Sequence, residues 1–137
     1  MDHVAIMRKS WRLTAKVLSG EKTIESRWYM TRRAPWGKIS AGDTVYFKDS
    51  GSPIAVKTTV ASVLQIETTP RRVKELIAEY GEGIGRSGLY ERFKEKRYCI
   101  LIFLKAPTAI KPFDIDKRGF GNMSAWITVD DVTRIML

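Results

Sequence analysis

The chain has 137 residues, 44% hydrophobic and 28% charged, and its 24 Lys and Arg exceed its 15 Asp and Glu to leave a net charge of +9. This is the composition of one globular domain, residues 1–137, too apolar for disorder and too short for a separate cofactor domain. One cysteine, Cys99, and one histidine, His3, exclude an internal disulfide and a His/Cys metal cluster, so neither a metal nor a cofactor is expected.

In chain order, His3 to Met7 predicts a short buried strand, with His3 itself at the strand end or surface. Ser10 is placed to cap a helix with Trp11, Ala15 and Leu18 as its core face, which Gly20 ends in the left-handed conformation. Lys22 to Trp28 alternates as a strand does, with Ile24, Ser26 and Trp28 on one face and Thr23, Glu25 and Arg27 on the other. A loop from Tyr29 to Ser40 and a turn at Ala41-Gly42-Asp43 lead to a strand over Thr44–Lys48, a loop at Asp49–Pro53 and a longer strand, Ile54–Glu67.

Thr69 and Pro70 open the clearest helix, which buries Val73, Leu76, Ile77 and Tyr80. A glycine-rich connection, Gly81–Gly88, precedes a short charged helix within Leu89–Lys96. Tyr98–Lys105, apolar throughout, predicts a central strand, and Pro107 and Pro112 punctuate the stretch after it. A loop over Asp116–Met123, a last strand over Ser124–Val129 and a short helical tail complete the chain. Strands in succession, rather than alternating with helices, argue for an α+β fold: a small, mainly antiparallel barrel with two or three peripheral helices. The longest apolar run, Tyr98 to Leu104, is far short of the roughly 18 residues that cross a bilayer. The N-terminus does not read as a signal peptide. A cytoplasmic, reducing location, no membrane partner and a monomer by default are the expectations.

The charge is uneven. Arg8, Lys9, Arg12, Lys16, Lys22, Arg27, Arg32, Arg33 and Lys38 face only Asp2, Glu21 and Glu25 in the first 38 residues. Such a field favours a polyanionic partner, nucleic acid or nucleotide first. Gly83-Ile84-Gly85-Arg86-Ser87-Gly88 has the outline of a dinucleotide fingerprint, but it follows a helix rather than a strand and reads as an inter-helix loop. Glu25 and Arg27 share a strand face, and an acceptor beside a planar donor fork can read the edge of a base or form a plain ion pair.

Gly20-Glu21-Lys22-Thr23-Ile24-Glu25-Ser26-Arg27 after a short helix, followed by Gly42-Asp43-Thr44-Val45-Tyr46-Phe47, resembles the ASCH domain of the PUA-like superfamily. The later Pro112-Phe113 and Ser124-Ala125-Trp126-Ile127 segments are similar to the end of such domains, so the resemblance spans nearly the whole chain. It implies a PUA-like β-barrel that binds RNA or a nucleotide in a basic cleft lined by Lys22, Glu25 and Arg27, with Lys48 and Ser50 approaching from the side opposite Arg27. Some small bacterial members are amidohydrolases that remove acetyl from N4-acetylcytidine, pairing the motif lysine with a threonine three residues on and a later glutamate. Here that threonine position holds Glu25. Other relatives have been proposed as ribonucleases.

Trp28, Tyr29 and Trp36 are interleaved with Arg27, Arg32, Arg33 and Lys38, a pattern suited to stacking on bases at about 1–3 kcal/mol each. Trp28, which shares a face with Ile24, reads as core, as does Trp126, while Trp36 divides evenly between stacking platform and barrel plug. The first functional expectation is therefore an RNA- or nucleotide-binding module. In it Glu25 and Arg27 read a base, Lys22 and Lys48 neutralise phosphate, and Tyr29 or Trp36 stacks. The alternative is a hydrolase in which burial lowers the Lys22 pKa and Glu25 moves the proton. A metal-dependent ribonuclease is less favoured, because Asp43, Asp49, Asp114 and Asp116 lack metal-ligand spacing. A protein-interaction domain would show an exposed apolar patch in place of a charged concavity.

Overall fold

Among the described residues, six strands form one sheet: β1 (Asp2–Met7), β2 (Ile24–Tyr29), β3 (Thr44–Asp49), β4 (Ile54–Glu67), β5 (Tyr98–Phe113) and β6 (Trp126–Val129). Their order across the sheet is β2-β5-β4-β3-β1-β6, and the sheet curls into a half-barrel. Only β1 and β3 run parallel; the other pairings are antiparallel. Three α-helices among the described residues accompany the sheet, α1 (Leu13–Ser19), α2 (Pro70–Ile84) and α3 (Leu89–Phe93). The fold is the small, mainly antiparallel α+β barrel that the strand succession predicts. The computed structural model describes residues 1–121 and 124–137; Asn122 and Met123, at the end of the expected loop from Asp116, lie outside the described residues.

Both faces of the sheet are covered. Inside the curl, Ile100 and Ile102 of β5 meet Ala5, Val45, Phe47 and Val56, with Leu13 and Val17 of α1 closing over them. On the other face, Cys99 and Leu101 pack against Val73 and Leu76 of α2 and Leu89 of α3. A strand buried on both faces has no polar side to show, which is why Tyr98–Leu104 reads as an unbroken apolar run. Each such aliphatic side chain contributes roughly 1.5–3 kcal/mol on burial. Burial also pushes the Cys99 thiol up, so it stays protonated and unreactive.

Four features depart from the sequence expectation. Lys9–Trp11 form a single 3-10 turn, Arg12 adopts φ 56°, and α1 begins only at Leu13, with no side-chain cap at either start. The left-handed residue resets the helical register, so Leu13, Thr14 and Val17 are buried while Ala15 and Leu18 face outward, Leu18 at 40% exposure. Trp11 thereby leaves the helix stripe. β5 continues through Pro107 and Pro112 to Phe113. β2 pairs with it only as far as Phe103, so beyond that point one edge of β5 is open and a residue lacking N–H breaks no ladder on that side.

The third departure is His3, which is fully buried rather than at the surface. Its Nε2 lies 2.9 Å from Asp43 Oδ2, and its Nδ1 lies 3.0 Å from Thr128 Oγ1 and 3.2 Å from Trp126 Nε1. An indole N–H only donates, so Nδ1 is the acceptor and Nε2 carries the proton given to Asp43. The ring ties β1 to β6 and to the Gly42-Asp43 turn.

Thr69 Oγ1 accepts from the Arg72 amide at 3.2 Å and Pro70 opens α2, as the sequence predicts. The helix runs on to Ile84, into the stretch expected to be a loop. Gly83 permits this: a Cβ there would stand 2.7 Å from Ile24 Cδ1, and the Thr23 amide donates to Gly83 O at 2.9 Å. The end of α2 therefore lies directly against the start of β2. Among the described residues no helix is long and apolar enough to cross a membrane.

Candidate functional site

β2 and β6 are the outer strands of the sheet, and the curl turns them toward each other. Arg27 on β2 spans the seam. Its Nη1 donates to Ala125 O at 3.2 Å, just before β6, and its Nη2 lies 3.4 Å from Met7 Sδ at the end of β1. A cavity of about 310 Å³ occupies this gap, bounded by the end of β1, by β2 and by the α2–α3 segment. Ligand pockets run from roughly 300 to 1,000 Å³, so the space suits a small flat group.

Lys22 lines the cavity at only 2% exposure. Its Nζ donates to Ile24 O and to Ile84 O, both at 2.7 Å, and stands 3.7 Å from Glu25 Oε1. Ile84 ends α2, where carbonyls lack partners within the helix and carry partial negative charge, so the ammonium caps that terminus. Gly85, at φ 75°, turns the chain away where a Cβ would come within 3.1 Å of Lys22 Cβ. Burial lowers the Lys22 pKa; Glu25 opposes this and Arg27 adds to it. In a continuous strand Lys22 and Glu25 would point to opposite faces. Because β2 starts at Ile24, they converge instead.

Glu25 is 3% exposed. Its Oε1 accepts from the Ser26 amide at 3.0 Å, while Oε2 has no hydrogen-bond partner among the described residues and lies 3.6 Å from Arg27 Nη2. Arg27 Nε is buried and unpartnered too. Leaving a buried polar atom unsatisfied costs about 1–3 kcal/mol, more when it is charged. Two residues that line this wall thus hold a buried acceptor and a buried donor without hydrogen-bond partners among the described residues. Five cationic side chains (Arg8, Lys22, Arg27, Arg86 and Arg92) against one carboxylate give the lining a net charge of +4.

Of the residues singled out from sequence, Lys22, Glu25, Arg27 and Tyr29 line this cavity, as does Trp28, which reads as core from sequence. Arg33 lies over the Tyr29 ring at 5.3 Å and continues the surface outward. Arg32 pairs with Glu67 at 3.1 Å and lies near the Trp36 and Tyr98 rings. Trp36 is half-buried, meets Tyr98 edge-on at 5.3 Å, packs on the core and does not line the cavity. Lys48 is buried with Lys117 and Asp114 as its nearby charges, and Ser50 is exposed, its amide donating to Met7 O; neither lines the cavity. Trp28 is core as expected, stacked on Phe93 at 5.0 Å. Trp126 is buried beneath the Arg27 guanidinium, 5.1 Å from its ring centroid. Among the described residues no three His, Cys, Asp or Glu side chains gather as metal ligands.

No protein-family model and no curated protein matches the chain. Solved structures do. The crystal structure of an ASCH protein from Zymomonas mobilis aligns over 97% of this chain and 91% of that one, with a TM-score of 0.72 and 17% identity. This chain has the ASCH fold. A mutant of the same Zymomonas mobilis protein aligns over 97% of this chain and 93% of that one, with a TM-score of 0.71 and 17% identity. A hypothetical protein of solved structure aligns over 79% of this chain and 100% of that one, with a TM-score of 0.52 and 18% identity.

Within this ASCH fold, the sequence reading does not place Arg8, Trp11, Arg86 and Arg92 at the cavity that they line. Arg8 and Arg92 look like ordinary solvated charges, and Trp11 fits a helix stripe that the Arg12 kink abolishes. Arg86 sits in the glycine-rich stretch set aside as a loop. A positive charge inside a loop of glycines, with no acid beside it in sequence, was the available signal.

Proposed function

We propose that this chain is an ASCH-family binding module that acts in the cytoplasm and holds RNA or a nucleotide with one base in the cavity beside β2. The observation that carries this reading is that Glu25 Oε2 and Arg27 Nε, two residues apart on β2, are buried with no hydrogen-bond partner among the described residues. Base edges place a donor next to an acceptor, so Oε2 accepts from an exocyclic amine or ring N–H and Nε–H donates to a ring nitrogen or carbonyl. Tyr29 offers a ring on the same wall, and Arg33 and Arg32 carry positive charge away from it along the path of a backbone. The net charge of +9 draws a polyanion to this face.

Fluorescence anisotropy with labelled single-stranded RNA at two salt concentrations tests the reading. Affinity is expected to fall by roughly tenfold or more between 50 and 200 mM salt as phosphate contacts release counterions. Glu25→Gln, which alters the acceptor, is expected to weaken binding about tenfold at either salt, equivalent to about 1.4 kcal/mol. Binding indifferent to both changes would sink the proposal.

A second reading, deacetylation of N4-acetylcytidine, is favoured by the lowered pKa of Lys22 beside Glu25. Against it, both short hydrogen bonds of Nζ go to backbone carbonyls, which occupies the amine structurally. Cytidine released by the wild type and not by Glu25→Gln would establish the hydrolase; no cytidine from either dismisses it.

A further inference from the structure

Three guanidinium groups from three separate segments meet at one indole. The Cζ of Arg8, just after β1, lies 4.6 Å from the Trp11 ring centroid; that of Arg86, between α2 and α3, at 3.4 Å; and that of Arg92, in α3, at 4.7 Å. All three arginines and Trp11 line the cavity that holds Glu25 and Arg27. None of the three has a carboxylate within 4.0 Å among the described residues, and Glu91, the neighbour of Arg92 in sequence, is taken by Lys94 at 2.9 Å.

A cation over an indole gains about 0.5–1 kcal/mol at an exposed site. That holds one guanidinium well but does not remove the mutual repulsion of three around a single ring. The crowding registers on Arg86, whose pKa is lowered by partial burial and then by Arg92 and Arg8. Trp11, with guanidinium groups over its ring, is an organiser of the array and not a free platform for a base. The array lacks an anion. Its donors are planar forks, which match the oxygens of a phosphate, and it offers three positive charges where a backbone diester brings one negative.

Resting on the base-binding reading above, we propose that Arg8, Arg86 and Arg92 bind the phosphomonoester dianion of the ligand whose base meets Glu25 and Arg27. The ligand is thus a nucleoside monophosphate or the terminal phosphate of an RNA strand, and an internal phosphodiester fills the array less well. Glu25 and Arg27 select the base, and the arginines select an end.

Isothermal titration of the full chain tests this with inorganic phosphate, nucleosides, their 5′- and 3′-monophosphates, and a short single-stranded RNA with or without a terminal phosphate. The wild type is expected to bind a monophosphate at least tenfold more tightly than its nucleoside. In Arg86→Gln and in Arg92→Gln that ratio falls below threefold, whereas in Lys74→Gln, on the exposed side of α2, it is kept. The advantage shrinks below pH 6, where the phosphate takes up its second proton. Both variants replace side chains outside the buried core, and thermal melts report whether they remain folded. A gain from the terminal phosphate on RNA but not on a mononucleotide assigns the site to strand ends, and the reverse assigns it to free nucleotides. Equal affinity for nucleoside and monophosphate, with no gain from the terminal phosphate on RNA either, overturns the phosphate site and leaves the base reading standing. Inorganic phosphate that binds and is lost in Arg86→Gln, with no contribution from any base, upholds the array and overturns the base reading. No binding of any of these overturns both.

Discussion

Lys22 keeps its ammonium in a place where charge is costly because backbone atoms hold it there. Removing it as Lys22→Met leaves Ile24 O and the end of α2 at Ile84 O without their partner, and leaves Glu25 without one of its two neighbouring cations. Two orphaned carbonyls and a less compensated buried carboxylate predict a loss of about 2–4 kcal/mol in urea unfolding. An unchanged midpoint would mean that the cap contributes nothing. His3 and Asp43 make a second residue-scale prediction, this time about pH. Burial lowers the His3 pKa from 6.5 although Asp43 pulls it upward. Between the folded and unfolded values the unfolded chain binds more protons, so stability held above pH 6.5 is lost as pH falls. For Asp43, burial works against ionisation, but hydrogen bonds from His3 and the Ser40 amide outweigh it and hold the carboxyl below 3.8. Its contribution is lost only in stronger acid. Melting temperature is expected to decline from pH 7 to pH 5.5 in the wild type, and His3→Phe, whatever its own stability, is expected to flatten that slope.

At the scale of elements, the glycines around the end of α2 separate backbone strain from crowding. Gly85 and Gly88 have nearly equal torsions, φ 75° and 70°, but a Cβ on Gly85 meets Lys22 at 3.1 Å while one on Gly88 meets nothing within 4 Å. Left-handed backbone costs a side chain roughly 1–2 kcal/mol. Gly88→Ala is expected to lose about that much in chemical denaturation, and Gly85→Ala clearly more, since it also pushes the Lys22 cap from its carbonyls. Equal losses would mean that the close approach is idle. These positions also mark where sequence patterns stop informing. The strands are legible because their alternation and apolar runs are local, and Thr69-Pro70 signals the start of α2 within two residues. Gly81 to Gly88 reads as a loop because glycine disfavours helix, yet tertiary contact with Ile24 selects glycine inside the helix. The core face of α1 is misplaced for a comparable reason: nothing in Arg12 announces a left-handed torsion, and that one torsion moves Trp11 out of the stripe and into the cavity. Of the cavity, the part carried on β2 and just before it is visible in Lys22, Glu25, Arg27 and Tyr29. The arginine array is not, because Arg8, Arg86 and Arg92 meet only through the fold.

Over the whole molecule, the consequential feature is that the barrel is left open between β2 and β6 and closed there by a side chain. Backbone pairing joins every other neighbour in the sheet, whereas across this seam Arg27 reaches Ala125 O, 98 residues away in sequence, and rests on Trp126. A seam held by one guanidinium lets ligand enter where continuous strand pairing would not, so the residue that reads the base also sets the width of the cleft. Arg27→Gln is expected to remove the bridge at about 1–3 kcal/mol of global stability. It is expected to act more strongly on local opening, as outer strands without a cross-tie open below the global free energy. Hydrogen–deuterium exchange should then quicken in β2 and β6 and stay unchanged in β3 and β4. Arg33→Gln, whose guanidinium stands over Tyr29 without crossing the seam, should leave all four strands as they were. Quickening confined to β2, or spread evenly over the sheet, would show that Arg27 is an ordinary strand residue and that the cleft is held open by something else.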